Sequence, residues 1–147
     1  MTPSTRQQIR DFFNKYYFVP NGFQYVKWGI YPEHHNNSYV DTSHNGMGLG
    51  FVYYSPCRMT GYRTCIAWQA SGHAHNVGFL QQHLPAIKKL YPNVELKITK
   101  WTRLFFPLSF QEPNHIEDSL KEALKFIQDT APILEYRPLD SGTGMWI

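Results

Sequence analysis

Two strand-like runs separated by a short turn place the strongest constraint on the fold of this chain. Residues 49–55 (LGFVYYS) and 62–70 (YRTCIAWQA) are rich in β-branched and aromatic residues, and a six-residue segment with turn chemistry (PCRMTG) joins them. So short a link suits an antiparallel pair, because a parallel crossover needs about a dozen residues or more. We therefore predict a β-hairpin here and an antiparallel sheet built around it.

Three other segments show helical periodicity. Apolar residues recur at helical spacing within residues 9–17, 80–91 and 116–127. Each of these stripes is typical of a helix that buries one side. Asn76 is a suitable N-cap for the second helix, and Pro85 within that helix predicts a kink or a restart.

Further strands are predicted on both sides of the hairpin. Residues 23–31 (FQYVKWGIY) are rich in aromatic and β-branched residues, and Tyr39-Val40 forms a short apolar interruption in a polar loop. The clearest alternation runs from Val94, but its phase blurs after Lys100 and stays irregular to Phe106. That break in phase indicates a bulge or a hairpin corner.

These elements together predict the α+β class. We expect a single domain with an antiparallel sheet of about four to five strands and three helices, in the order α-β-(β)-β-β-α-β-α. The length of 147 residues suits one domain. The domain is expected to span residues 1–131, followed by a C-terminal extension, 132–147, that is rich in glycine and proline.

Composition narrows the class of protein. Hydrophobic residues make up 42% of the chain, which excludes a disordered polymer. No apolar run approaches the roughly 18 residues of a membrane span, and the N-terminus is too polar for a signal peptide, so a cytoplasmic location is expected. Cys57 and Cys65 are too few for a disulfide framework and are expected to be free thiols.

Aromatic content is the feature that points to function. The chain holds ten Phe, ten Tyr and four Trp residues. A domain of this size does not need so many rings in its interior, so several are expected at the surface or in a cleft. Tyr and Trp suit such positions because each combines an apolar body with a polar group. The formal net charge of +3 is compatible with an anionic partner.

Aromatic and basic residues are interleaved along the predicted strands. Rings provide stacking faces for bases, and cations provide contacts to phosphates. We therefore predict a small binding module, rather than an enzyme, that recognises nucleic acid or a nucleotide through an aromatic, mildly basic sheet face. The predicted ligand-binding residues are Tyr25, Lys27, Trp28, Tyr53, Arg63, Lys97, Trp101 and Arg103.

Two alternatives remain open. The same rings are suited to anchor a protein partner, as in an inhibitor or immunity-type protein. A metal-dependent enzyme is the third possibility, because His73-Ala74-His75 and the His34-His35 pair are weak candidates for metal ligands. No catalytic residue and no cofactor are predicted, because the chain contains neither a nucleophile motif nor a phosphate-binding glycine loop.

Overall fold

The computed structural model of the chain describes residues 3–23, 37–40, 47–54 and 60–136. The helices in these ranges are α1 (Pro3–Phe13), which continues into a π-helix (Asn14–Phe18), α2 (Ala74–Leu90) and α3 (Ile116–Thr130). The strands are β1 (Asn37–Val40), β2 (Gly48–Val52), β3 (Cys65–Ser71), β4 (Glu95–Ile98) and β5 (Trp101–Pro107). The strand predicted at 23–31 lies outside the described residues, apart from Phe23.

The strands form one antiparallel sheet in the order β1-β2-β3-β5-β4. This arrangement confirms the predicted α+β class. The predicted hairpin is confirmed as the β2–β3 pair, in which Phe51 lies opposite Ile66. The region from Val94 folds as the β4–β5 hairpin, so the loss of phase after Lys100 marks a corner rather than a bulge. The short strand predicted at Tyr39-Val40 is edge strand β1.

One face of the sheet, here called the inner face, packs against the helices. Alternate residues of β3 on this face, Ile66 and Trp68, belong to the same buried cluster as side chains from all three helices. Trp68 is completely buried, and its indole N–H donates a 2.8 Å hydrogen bond to the Thr130 hydroxyl of α3. This bond satisfies the one polar atom of the largest core side chain, so the ring is buried without an unpaired donor.

The opposite face, here called the outer face, is also buried over much of its area. Val52, Cys65, Ala67 and Phe105 on this face are each at most 4% exposed. The β4–β5 hairpin carries exposed side chains on this face: Glu95 and Lys97 are exposed, and Trp101 is 50% exposed. Within the described residues, the exposed part of the aromatic, mildly basic sheet face predicted from the sequence therefore lies on the β4–β5 hairpin.

The helices depart from the sequence prediction at their ends. The N-cap of α2 is His73, whereas the predicted cap, Asn76, is buried in the first turn. Pro85 lies inside α2 without ending it. Its ring is on the exposed side of the helix, where water can satisfy the carbonyl left without a donor. Past α1, the chain widens into the π-helix, which buries Tyr17 and leaves the neighbouring Tyr16 exposed.

The core continues beyond residue 131, where the C-terminal extension was expected to begin. Leu134 is fully buried, and Tyr136 packs its ring on Trp68 with centroids 4.6 Å apart. Residues 137–147 lie outside the described part of the chain. Cys65 is buried as a free thiol, as expected, whereas Cys57 is not among the described residues. Of the helices in the described ranges, none has both the length and the apolarity needed to cross a membrane.

Candidate nucleic-acid interface

Trp101 begins β5 and projects from the outer face. The next residue, Thr102, is fully buried on the inner face, as is Leu104. Because successive side chains of a strand point to opposite faces, this burial directs Trp101 and Arg103 outward. Half of the Trp101 side chain remains accessible to solvent. A large, rigid ring is therefore exposed to solvent at the first residue of β5.

Two cations accompany this ring on the same face. Lys97 of β4 lies directly opposite Arg103 of β5 in the antiparallel register. Directly opposite residues have Cβ atoms about 5 Å apart, so like charges at such a pair repel. The Arg103 Nε donates a 3.3 Å hydrogen bond to the Gln69 side-chain oxygen. We refer to Gln69, Lys97, Trp101 and Arg103 as the Trp101 patch.

One acidic residue shares this face of the sheet. Glu95 lies two residues before Lys97 on β4 and is opposite Phe105. Lys100, in the turn between β4 and β5, adds a further cation at the same end. The described part of the β4–β5 hairpin therefore carries three basic residues and one acidic residue.

Close backbone packing holds the β4–β5 turn in place. The Gly72 N–H donates a 3.1 Å hydrogen bond to the Lys100 carbonyl. A Cβ atom at position 72 would lie 2.9 Å from the carbonyl oxygens of both Thr99 and Lys100, so only glycine allows this approach. The Thr99 hydroxyl also donates to the Trp101 carbonyl at 3.1 Å. The backbone that carries Trp101 is therefore tied to β3 and to its own turn.

Two histidines follow Gly72 at the start of α2. His73 and His75 are exposed, and their rings are nearly parallel with centroids 6.1 Å apart. No acidic residue occurs in the first turn of α2. Within the described ranges, no group of three potential metal ligands was found. The other histidines predicted as weak metal ligands, His34 and His35, lie outside those ranges.

Tyr53 does not belong to the Trp101 patch, although it was predicted as a ligand-binding residue. It continues the inner-face alternation of Leu49 and Phe51, and its ring stacks on Phe51 at a centroid distance of 6.4 Å. Its hydroxyl donates a hydrogen bond to the Pro113 carbonyl. Alternation along β2 therefore directs this ring into the core, on the opposite side of the sheet from Trp101.

Arg63 lies at the other end of β3. Its guanidinium carbon is 5.3 Å from the centre of the Tyr54 ring, within the range of a cation–π contact. From Cys65 to Ser71, β3 extends about 20 Å, so Arg63 and Trp101 do not contact one small ligand together. We refer to Tyr54, Tyr62 and Arg63 as the Tyr54 corner.

Gln111 holds this corner through its side-chain amide. The Gln111 oxygen accepts hydrogen bonds from the N–H groups of Arg63 and Thr64, at 2.9 and 3.0 Å. The Gln111 nitrogen donates to the carbonyls of Thr64 and Leu108, both at 2.7 Å. One amide thus satisfies four backbone groups that lie beyond the regular strand pairing.

The predicted site residues are therefore only partly brought together. Lys97, Trp101 and Arg103 form one patch, whereas Tyr25, Lys27 and Trp28 lie outside the described residues. Sequence reasoning missed Gln69 and Gly72. The glycine that follows the β3 run was visible in the sequence, but its contact with the β4–β5 turn depends on strand order, which no local pattern reveals.

Two clefts lie elsewhere on the molecule. The larger, about 720 Å³, lies beside Tyr17, Gln128 and Tyr136. Burial raises the pKa of Tyr17 to about 12, and burial also raises the pKa of Tyr136. The second cleft, about 590 Å³, is bordered by Tyr62 of the Tyr54 corner. Neither cleft is lined by a residue of the Trp101 patch.

No protein-family model matches this chain, and no curated protein or solved structure matches it either.

Proposed function

We propose that this chain is a non-enzymatic binding module that recognises nucleic acid or a nucleotide through the Trp101 patch. One observation supports the proposal above the others. A half-exposed indole shares one sheet face with two cations that lie directly opposite each other. Stacking on the ring and contact with the cations are the two interactions that a nucleotide offers.

The paired cations favour an anionic ligand. Lys97 and Arg103 lie directly opposite each other, so one phosphate group can accept charge-assisted hydrogen bonds from both side chains. Arginine also binds phosphate in a bidentate manner, whereas lysine acts as a point charge. These two contacts therefore favour binding of a phosphate group at this strand pair.

The indole favours a base over a simple anion. An exposed tryptophan ring next to cations is a stacking surface, and stacking tolerates any base because every base has a π-face. Inorganic phosphate alone would use the cations but not the ring. Nucleotides and nucleic acids are the common biological anions that use both.

A salt titration tests the proposal. We expect a fluorescently labelled oligonucleotide to bind at low ionic strength, measured by anisotropy, and to dissociate steeply as salt is added, because bound phosphates release counterions. Changing both Lys97→Ala and Arg103→Ala should weaken binding at every sequence tested. It should also reduce the slope of log affinity against log salt by about 1.4, the value for two phosphate contacts to a single strand.

The matched control is the double variant Lys121→Ala and Lys125→Ala, which removes two exposed cations from α3. It should leave both the affinity and the salt slope unchanged. Equal effects of the patch and control variants would indicate a general charge effect and would contradict a site at the Trp101 patch. Absence of oligonucleotide binding at low salt would contradict the proposed function itself.

A protein-binding function is the second candidate, and a specific observation favours it. Ile98, at the end of β4, is 47% exposed, and its position opposite Thr102 places it on the other face of the sheet from Trp101. Exposed apolar side chains of this kind serve as anchors in protein interfaces. Ile98→Ser separates the two candidates, because it should weaken a protein complex with little dependence on salt and leave oligonucleotide binding intact.

A further inference from the structure

We infer that the nucleic acid recognised by the Trp101 patch is single-stranded, with an unpaired base stacked on Trp101 and adjacent phosphates on Arg103 and Lys97. This inference rests on the proposed function and specifies the class of nucleic acid. It depends on three features of the β4–β5 hairpin: the accessible ring, the way the hairpin is tied to the sheet, and the spacing of ring and cations.

The accessible ring requires a base with a free face. In a duplex, each base is stacked on its neighbours and presents only its edges in the grooves. Trp101 offers a hydrophobic surface but only one polar atom, the indole N–H, with which to read those edges. Its 50% exposure therefore suits a base that has left the stack, as in a single strand.

The β4–β5 hairpin does not project from the rest of the fold, as a β-ribbon that enters a DNA groove does. A two-stranded ribbon can enter the major groove of DNA, but it must extend beyond the rest of the fold. Here β5 pairs with β3 along its whole length, from Trp101 opposite Ser71 to Pro107 opposite Cys65. The Gly72–Lys100 hydrogen bond ties even the turn to the end of β3. The hairpin is therefore level with the sheet and poorly placed to enter a groove.

The spacing of ring and cations suits successive groups of an extended strand. Trp101 and Arg103 are two residues apart on one strand, which separates them by about 6.6 Å. Lys97 lies across from Arg103 at about 5 Å. A base on the ring and the phosphate of its own or the next nucleotide fall within these distances. The patch thus accommodates one or two nucleotides of a longer strand.

A comparison of one oligonucleotide in its single-stranded and duplex forms tests the inference. We expect a labelled single strand of mixed sequence to bind at least tenfold more tightly than the same strand annealed to its complement, measured by anisotropy at one salt concentration. Trp101→Ala should lower single-strand affinity about tenfold and leave weak duplex binding unchanged. Trp101→Phe should retain most of the single-strand affinity, because it keeps a stacking ring.

Tyr16→Ala is the matched control, since it removes a similarly exposed ring from another surface. It should not alter the ratio of single-strand to duplex affinity. Thermal melting of each variant, followed by circular dichroism, shows that a change in affinity does not reflect unfolding. Because Trp101 is half exposed, its replacement is expected to leave the fold intact.

The outcomes separate this inference from the proposed function. If single strand and duplex bind equally, or if Trp101→Ala leaves their ratio unchanged, the inference is wrong while nucleic-acid binding stands. If neither form binds at low salt, the proposed function fails and the inference fails with it. A preference for the single strand that disappears in Trp101→Ala, but not in Tyr16→Ala, supports both.

Discussion

The Trp101 patch and the Tyr54 corner contain the same kinds of residue but differ in how those residues are arranged. At the Tyr54 corner, Arg63 rests on the Tyr54 ring and the local backbone is bonded to Gln111. At the Trp101 patch, a half-exposed ring lies beside two cations that face each other. The arginine of the first region lies over a ring, whereas the arginine of the second region lies opposite another cation.

This difference shows why aromatic and basic composition alone does not locate a binding site. Arginine over a tyrosine ring is a stabilising contact worth about 0.5–1 kcal/mol at an exposed position. Like charges placed directly opposite each other on a strand pair are destabilising. The position of an arginine in the strand register determines which of these arrangements it enters, as Arg63 and Arg103 show.

The largest expected effect comes from β3, the strand that joins the two regions. Trp68→Ala removes a completely buried indole and its hydrogen bond to Thr130, and should lower the free energy of unfolding by about 3–5 kcal/mol. Urea denaturation measures this loss, and both regions should be lost in one transition. Trp68→Phe, which keeps a ring, should cost distinctly less. Separate transitions for the two regions would show that β3 does not couple them.

A smaller loss of stability is expected from a substitution that disturbs only the Trp101 patch. In Gly72→Ala the new methyl group meets two backbone oxygens at 2.9 Å, so the β4–β5 turn must shift, at a cost of about 1–3 kcal/mol. Because that turn carries Trp101, oligonucleotide affinity should fall as well. Gly78→Ala on α2, where the added methyl meets no neighbour, is the control and should not destabilise the protein. Unchanged stability in Gly72→Ala would mean that the turn is loosely held.

The smallest loss of stability is expected from a substitution that disturbs only the Tyr54 corner. Gln111→Ala removes an amide that bonds four backbone groups near the surface, and should cost about 1–2 kcal/mol because water replaces part of these bonds. Oligonucleotide affinity should be unaffected, since the Trp101 patch is about 20 Å away along β3. Thermal melting and anisotropy on the same sample measure both quantities. A parallel loss of affinity would show that the two ends act as one surface.

Much of the fold was predictable because its signals are local. The alternation in β3 and the short link to β2 predicted the hairpin, and apolar stripes predicted the three helices. The N-cap of α2 was misplaced at Asn76 because a capping residue type also suits a buried position in the first turn. Pro85 does not make the helix restart, because a proline on the exposed side of a helix can be tolerated, and the kink stays a prediction.

The candidate site was predictable only in its residue types. Lys97, Trp101 and Arg103 were selected as aromatic and basic residues near one another in the chain, and the β4–β5 register places them on one face. Tyr53 was selected for the same reasons and lies in the core. A ring is equally suited to either place, so composition cannot separate the two cases.

By itself, the sequence determined the identity of most elements and the presence of an antiparallel pair, because periodicity and turn length act over a few residues. Only the tertiary structure decided that the outer face is buried at Phe105 and open at Trp101. It also decided that Lys97 lies opposite Arg103 and that the β4–β5 turn packs closely against Gly72. These features depend on strand order and register, which result from packing between segments distant in the chain.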